Sequence, residues 1–485
     1  MNFRAVLWLL SRVVLLIAVV LLLPAAVAFG YGEIDVGEAF VAVALACAAV
    51  SGLVGWRCAR AIETSEGRPD FFRREGLAAV GLAWLAAGVL GALPYLVTGT
   101  IASPVDALFE SVSGFTTTGA TILPGDVLDA LPKGVTFWRC FTNWLGGIGI
   151  VLVFVVFFPT GGRSLFRSEV PGLDREAVLQ RVRDSAIALV RIYVALTLAE
   201  VLALVLAGTS LFDAVLHSFA TIATGGFSNY SDSVAHFHSA TVELIIVAFM
   251  FLSGVNFAIY DTFLRAGRRS GLEMVRTSTE LRAYAGLLLV ATASMAFVLW
   301  FWGGSNGAQA TSAEVASLPD YTSLSQCFRD SVFAAVSVNT ATGFGTADFH
   351  QWPEYCRFAL MSLALVGACA GSTGGGLKVV RFIIVWRAAL RAVKNFARPR
   401  AVTPVRMDGR AVDDSVVAAV TSYFGLWCFA LFLGTGVLAS SGHDLISSFT
   451  GTLVCLNNVG PGLETVGPAA NFAHISAIGK LVLSS

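Results

Sequence analysis

Four segments of this 485-residue chain repeat one pattern in which the backbone, rather than side chains, would do the chemistry. The first three read Asp106-Ala-Leu-Phe-Glu-Ser-Val-Ser-Gly-Phe-Thr-Thr-Thr-Gly119, Asp213-Ala-Val-Leu-His-Ser-Phe-Ala-Thr-Ile-Ala-Thr-Gly225 and Asp330-Ser-Val-Phe-Ala-Ala-Val-Ser-Val-Asn-Thr-Ala-Thr-Gly343. The fourth, more divergent, reads Ser447-Ser-Phe-Thr-Gly-Thr-Leu-Val-Cys-Leu-Asn-Asn-Val-Gly460. Aligned this way, the glycines lie 106, 118 and 117 residues apart. Glycine tolerates dihedrals that other residues resist, so a helix stops there and the chain runs on extended. Four such strands around one axis would present carbonyl oxygens that replace the hydration shell of a cation. Few carboxylates lie near the turns, which points to a carbonyl filter and away from a ring of Asp or Glu. Carbonyl filters are the potassium-selective design.

The elements that must hold these turns follow from composition. Hydrophobic residues make up 56% of the chain and charged residues 13%, against about 25% charged in soluble domains. Apolar runs recur at Val13–Phe29, Ala39–Trp56, Leu77–Val97, Ile148–Phe158, Ala186–Leu206, Val242–Ile259, Ala283–Trp302, Arg357–Ala370 and Val416–Leu438. Crossing a bilayer as a helix takes about 20 such residues. A soluble enzyme is excluded, and the fold class is an all-α polytopic membrane protein. Each repeated segment is too short to span and returns to its own side, as a re-entrant half-helix would. Asp106, Asp213 and Asp330 sit where those half-helices would begin and are predicted to be their N-caps. The negative C-terminal end of each half-helix then points at the turn and favours a cation.

Positive charge alternates along the chain. Segments Arg57–Gly76, Thr160–Ser185 and Arg265–Arg282 carry five Lys or Arg each and Lys378–Arg410 carries nine, whereas Gly30–Glu38, Thr209–Ala240 and Ser440–Gly479 carry none. The positive-inside rule makes the rich segments and the N-terminus cytoplasmic. The predicted layout is two leading helices in residues 1–70 and four pore repeats at 71–170, 171–270, 271–400 and 401–485. Each repeat is a spanning helix, a re-entrant pore loop and a second spanning helix around one pore. Lys+Arg and Asp+Glu both number 32, so charge gives no reason to expect a nucleic-acid partner.

These motifs resemble the Trk/Ktr/HKT superfamily of potassium transporters, and within it the bacterial TrkH type. The resemblance covers nearly the whole chain. It rests on Ser113–Thr121, Asn143-Trp-Leu-Gly-Gly-Ile-Gly149, Ala223–Ser228, Gly254-Val-Asn-Phe-Ala258, Thr342-Gly-Phe344, Ala370-Gly-Ser-Thr-Gly-Gly-Gly-Leu-Lys378 and Leu456–Gly462. Carried over by position, it implies an ion-coordinating backbone at Thr117, Thr118 and Gly119, at Ala223, Thr224 and Gly225, at Ala341, Thr342 and Gly343, and at Asn458, Val459 and Gly460. Glycine in all four loops implies potassium, where sodium-passing relatives tend to carry Ser at the position of Gly119. Gly371, Ser372, Thr373, Gly374, Gly375, Gly376 and Lys378 are implied to form an intramembrane gating loop, with a close-packed helix crossing as the plainer alternative. The resemblance further implies K+ as the transported ion with no bound cofactor, a bacterial inner-membrane location, a homodimer, and a cytosolic nucleotide-binding regulatory subunit of TrkA type. No nucleotide-binding Gly-x-Gly-x-x-Gly unit is present in this chain, so a nucleotide would act through that partner.

Other polar residues in apolar runs, namely Glu110, Arg139, Asn143, Glu200, Asn256 and Asp261, are read as structural hydrogen bonds or ion pairs rather than as ion sites. The six histidines are read as surface residues, and the eight cysteines as small hydrophobes. A disulfide between Cys327 and Cys356, in one external segment, is not expected. After Gly462 only 23 residues remain, too few to complete the last spanning helix, so either the chain is a fragment cut short at its C-terminal end, the preferred reading, or the fourth repeat is incomplete. The rivals are a secondary transporter coupled to H+ or Na+, which should show a titratable carboxylate in the pore, and a membrane enzyme or scaffold. No nucleophile–base or metal constellation of an enzyme is visible.

Overall fold

The computed structural model describes residues 3–63, 73–157, 175–306, 321–398 and 403–484. The leading unit is α1 (Phe3–Val20) running into α2 (Leu22–Gly30), followed by α3 (Ile34–Glu63). Repeat 1 contains α4 (Arg73–Val97), the half-helix α5 (Pro104–Phe115), a short α6 (Gly125–Asp129) and α7 (Lys133–Phe157). Repeat 2 contains α8 (Arg175–Leu206), the half-helix α9 (Leu211–Ile222), α10 (Ala240–Ser253) and α11 (Phe257–Thr277). Repeat 3 contains α12 (Thr279–Asn306), the half-helix α13 (Leu324–Asn339), α14 (Glu354–Val366) and α15 (Val379–Ala397). A two-stranded hairpin, β1 (Arg406–Met407) with β2 (Arg410–Ala411), leads to repeat 4. That repeat contains α16 (Asp414–Ser440), the half-helix α17 (Leu445–Leu456) and α18 (Ala477–Leu483). The repeat divisions drawn at residues 70, 170 and 400 lie outside the described residues, as does most of the basic segment Thr160–Ser185. The division at 270 falls within α11.

Six helical stretches among the described residues are long and apolar enough to cross a bilayer: Val6–Gly30, Ile34–Cys58, Ala78–Val97, Ala186–Leu206, Thr279–Trp302 and Asp414–Ser440. Their outer faces are dressed for hydrocarbon, as with the exposed Leu426, Phe429 and Phe432 of α16. Three of the half-helices have 12 residues and α13 has 16. At 1.5 Å per residue, 12 residues make about 18 Å, half to two-thirds of a hydrocarbon core.

Two apolar runs are not continuous spans. Val242–Ile259 breaks after Ser253, and α10 and α11 meet at 82°. The cause is local: Asn256 caps α11, its Oδ1 accepting the Ala258 N–H at 2.9 Å. The other is Arg357–Ala370, where α14 stops at Val366 and Gly367 turns at φ 74°, so the break begins four residues before Gly371.

The N-cap expectation is also corrected. Ser103, Ser210 and Asp444 cap α5, α9 and α17 by accepting the N–H groups of Asp106, Asp213 and Ser447. Asp106 and Asp213 therefore lie inside the first turn, where a carboxylate still complements the dipole. Asp330 lies deeper still, because α13 starts one turn earlier at Leu324, and it is buried with Gln326 Nε2 on both carboxylate oxygens (3.0 and 2.9 Å).

Candidate functional site

All four half-helices end in the same way. The residue after the C-cap takes a left-handed conformation at Thr117 (φ 57°), Thr224 (φ 54°), Ala341 (φ 62°) and Asn458 (φ 56°). The following N–H then reaches back to the helix: Thr118 to Ser113 O (2.8 Å), Gly225 to Ala220 O (2.8 Å), Thr342 to Ser337 O (2.9 Å) and Val459 to Val454 O (2.7 Å). This six-to-one bond is the signature of a Schellman turn, which usually carries glycine at the left-handed position. Three of the four turns hold threonine or alanine there instead, so the bonds above offset a backbone cost of about 1–2 kcal/mol in each.

A positive-φ glycine follows two residues later, at Gly119 (φ 75°), Gly226 (φ 66°), Gly343 (φ 83°) and Gly460 (φ 94°). The second turn is therefore displaced by one residue from the sequence alignment. Gly226, not Gly225, is the counterpart of Gly119, and Gly225 stands where Thr118 stands in the first turn. The Ala-Thr-Gly-Gly run offers two glycines, and the left-handed Thr224 settles which one completes the turn.

The turns form a closed ring. A Cβ on Gly119 would strike the carbonyl oxygen of Gly225, one on Gly226 that of Thr342, and one on Gly343 that of Val459. One on Gly460 would come within 2.9 Å of the carbonyl oxygen of Thr118. Each glycine thus abuts the carbonyl preceding the glycine of the next repeat, in the order one, two, three, four, one. Gly119, Gly226, Gly343 and Gly460 together floor a cavity of about 150 Å³ on one side of the ring.

Below the ring, on the side of the half-helix C-termini, lies the chain between Gly367 and Lys378. Thr373 Oγ1 is 3.0 Å from Ile222 O at the end of α9 and 3.2 Å from Ser253 O at the end of α10. Gly374 packs on the Thr340 carbonyl at the end of α13, and Gly375 on the Asn457 carbonyl at the end of α17. Gly371, Ser372 and Gly376 complete the non-helical stretch. It is stitched to the bend of repeat 2 by Phe257 N–H to Gly371 O (2.9 Å) and Cys369 N–H to Gly254 O (3.1 Å). The buried Lys378 ammonium donates to Gly374 O, with Arg381 and Glu280 as its charged neighbours. Glu280 Oε1 in turn accepts the Ala370 N–H at 2.6 Å. Residues 117–119, 224–226, 341–343 and 458–460 are thus brought together, and the Gly-rich stretch touches three of the four helix ends around them.

Of the remaining polar residues, Glu110, Arg139 and Asp261 sit in ion pairs, whereas the side chains of Asn143 and Glu200 have no hydrogen-bond partner among the described residues, against the expectation of structural bonding. Glu110 and Arg139 form a fully buried pair at 2.6 Å. Glu110 also accepts from the Thr121 hydroxyl and the Ile122 N–H (2.9 Å each), and Arg139 donates to Ser228 O (2.8 Å). The pair so fixes the chain leaving turns 1 and 2. Asp261 pairs with Arg265 at 2.6 Å, one helical turn on. Asn143 wedges behind Gly225, filling the space a Cβ would occupy. His217 is not a surface residue: it is buried on α9, with Nδ1 2.9 Å from Asp213 O and Nε2 3.2 Å from Ser228 Oγ. Cys327 Sγ is 3.3 Å from Tyr321 O and Cys356 Sγ 3.9 Å from Met295 O, so the two side chains address different carbonyls. Two residues that sequence reasoning passed over as ring-builders are Gly146 and Gly147. Their missing Cβ atoms let α7 pass against Phe115 O and Ala223, bringing turns 1 and 2 together. Adjacent glycines inside an apolar run were the available signal.

Residues 37–485 match the family described as TrkH, cation transport protein. The chain is 35% identical over 488 residues to the Trk system potassium uptake protein TrkH of Salmonella typhimurium, covering 100% of this chain and 95% of that one. It is 31% identical over 415 residues to the Trk system potassium uptake protein TrkG of Escherichia coli, covering 84% and 81% respectively. The crystal structure of the potassium transporter TrkH from Vibrio parahaemolyticus superposes with a TM-score of 0.85 at 32% identity, covering 100% of this chain and 95% of that one.

Proposed function

Because the chain belongs to the TrkH family of cation transport proteins, we propose that it carries potassium into the cell across the bacterial inner membrane, through a filter made by the four turns. The observation that supports this most is the closed cycle of glycine-to-carbonyl contacts from Gly119 through Gly226, Gly343 and Gly460. It holds backbone oxygens from four repeats in one ring at membrane depth, where irregular backbone is tolerated only inside protein or beside water. Four half-helices aim their negative ends at the same place. The filter residues are Thr117–Gly119, Thr224–Gly226, Ala341–Gly343 and Asn458–Gly460.

The stretch from Gly371 to Lys378 acts as the gate. It covers the C-terminal carbonyls of α9, α13 and α17, and it puts the cationic Lys378 under the filter, where a permeating cation would meet it. The cavity on the opposite side opens outward, and the N-terminus is cytoplasmic, following the positive charge of the loops. On the cytoplasmic side α15 exposes Trp386, Val393 and Phe396 on a helix that also carries Arg387, Arg391 and Lys394. This surface suits the proposed assembly as a homodimer on a TrkA-type nucleotide-binding subunit.

The test is rubidium and sodium flux into liposomes, wild type against Gly119→Ser. A side chain at a φ of 75° that also meets the Gly225 carbonyl must displace the ring. The rubidium preference should fall about tenfold, the equivalent of roughly 1.4 kcal/mol. Equal rubidium and sodium flux in the wild type, unchanged by the substitution, would overturn the reading.

A further inference from the structure

Contacts between neighbouring turns in the ring are mostly contacts of backbone with backbone. Taking each turn from its C-cap to its glycine (116–119, 223–226, 340–343 and 457–460), the hydrogen bonds that join one turn directly to another among the described residues all involve Asn458. Its Nδ2 donates to Thr116 O at 2.9 Å, and its Oδ1 faces Thr118 Oγ1 at 3.4 Å. Thr116 Oγ1 is already committed to Val112 O at 2.7 Å, and it lies 2.8 Å from Thr118 Oγ1. The Thr118 hydroxyl has one hydrogen, which goes to Thr116 Oγ1 or to Asn458 Oδ1, so the donation from Asn458 Nδ2 to Thr116 O is the bond that ties repeat 4 to the cap of repeat 1.

We propose that Asn458 is a positioning residue for ion selectivity: its side chain clasps the fourth turn to the first and so fixes the width of the ring. The proposal rests on the filter reading given above and adds to it a role for a side chain.

Three features single this residue out. It occupies the left-handed position, where asparagine is tolerated better than other non-glycine residues, so one residue supplies both the turn and the clasp. The repeats it joins are also the first and last in the sequence. Repeats 1 and 2, 2 and 3, and 3 and 4 follow each other along the chain. The fourth-to-first seam closes the ring across the two ends of the sequence; outside the turns it is also joined by the Lys480–Asp106 pair at 2.6 Å and by Phe472 N–H to Thr121 O at 2.8 Å, and within the turns by Asn458. Finally, Asn458 lies against the proposed gate, because a Cβ on Gly375 would stand 3.0 Å from Asn458 Cβ and closer still to the Asn457 carbonyl. The residue that sets the seam is thus in contact with the segment that would move beneath it.

Carbonyl filters discriminate by the number and spacing of their oxygens. Loosening one seam should therefore relax selectivity before it abolishes conduction. The experiment is the rubidium-to-sodium flux ratio of full-chain protein in liposomes for the wild type, Asn458→Gly and Asn458→Asp. Asn458→Gly keeps the left-handed turn at no steric cost and removes the clasp. Asn458→Asp keeps the side-chain shape, replaces the donor to Thr116 O with an acceptor and adds a carboxylate charge there, so it breaks the clasp by repulsion as well as by loss of the bond. Both should lower the ratio fivefold or more while rubidium flux persists and the protein remains monodisperse. A monodisperse Asn458→Gly protein that keeps the wild-type ratio within twofold overturns the proposal. If that variant does not stay monodisperse, the same outcome for Asn458→Asp overturns it. A wild type without rubidium preference would instead defeat the filter reading itself, so the two failures are distinguishable.

Discussion

Gly226 and the carbonyl oxygen of Thr342 approach so closely across the seam between repeats 2 and 3 that no Cβ fits between them. Gly225, its neighbour in sequence, meets the Asn143 side chain instead, at Cγ and Nδ2 (2.5 Å each) and at Cβ (2.9 Å), rather than a ring carbonyl. Alanine at 226 also incurs the left-handed penalty of about 1–2 kcal/mol, which alanine at 225 avoids. Gly226→Ala should therefore reduce rubidium flux or its preference over sodium at least tenfold. Gly225→Ala should keep most of both, and adding Asn143→Gly, which removes every atom it meets on residue 143, should restore what it loses. Equal damage at the two positions would return Gly225 to the ring.

The Glu110–Arg139 pair predicts a stability effect. Both side chains are buried and both hold loop backbone, so removing either partner strands a charge in the protein interior. Breaking a buried pair in this way costs about 3–5 kcal/mol. Arg139→Met should lower the midpoint of thermal unfolding in detergent far more than Asp261→Asn, a half-buried residue whose partner Arg265 is half in solvent. A direct role in attracting ions would instead leave Glu110→Gln stable and reduce flux at low potassium.

The repeats were legible in the sequence because a half-length apolar stretch ending in glycine leaves a mark that recurs about every hundred residues. The register of the second turn was not legible. Two adjacent glycines satisfy the same motif, and only the dihedral of Thr224 and the contact with Thr342 O select Gly226. The bend before Asn256 was missed because hydropathy averaged over Val242–Ile259 stays high across Ser253, Gly254 and Asn256, although the break's cause is one capping carboxamide among them. Asp106 and Asp213 as caps failed for a related reason. Serine three residues earlier competes for the same N–H groups, and sequence preference does not rank the two.

Thr373 predicts the behaviour of the Gly-rich stretch. Its hydroxyl is shared between Ile222 O and Ser253 O, tying the stretch to two helix ends at once. Thr373→Val keeps the volume and removes a hydrogen bond of about 1 kcal/mol. If the stretch is an obstruction held closed by such contacts, rubidium flux without any cytosolic partner should rise several-fold. Lys378→Met should act in the same direction by removing the ammonium from the path. A fall in flux for both variants, in protein that unfolds at the wild-type temperature, would make the stretch part of the conduction path rather than its gate.

Glu200 decides between passive and coupled transport. It is a fully buried carboxyl group on the membrane-spanning α8, and neither oxygen has a hydrogen-bond partner among the described residues. The Thr221 hydroxyl beside it donates to His217 O at 2.8 Å instead. An ionisable residue inside a membrane is a functional candidate by default, so Glu200 is where a proton-coupled mechanism would have to reside. Yet it does not line the cavity over the ring, and its helix packs behind the half-helix α9 rather than on the axis. Passive conduction through the filter therefore predicts that Glu200→Gln, neutral and equal in size, leaves rubidium flux within about twofold of wild type, well under the 1.4 kcal/mol that a tenfold change represents. The dependence of flux on an imposed pH gradient should be equally unaffected. A coupled mechanism predicts the opposite: the variant would lose any acceleration by an inward proton gradient while retaining exchange of rubidium for rubidium. Measuring both fluxes on the same vesicles separates the two.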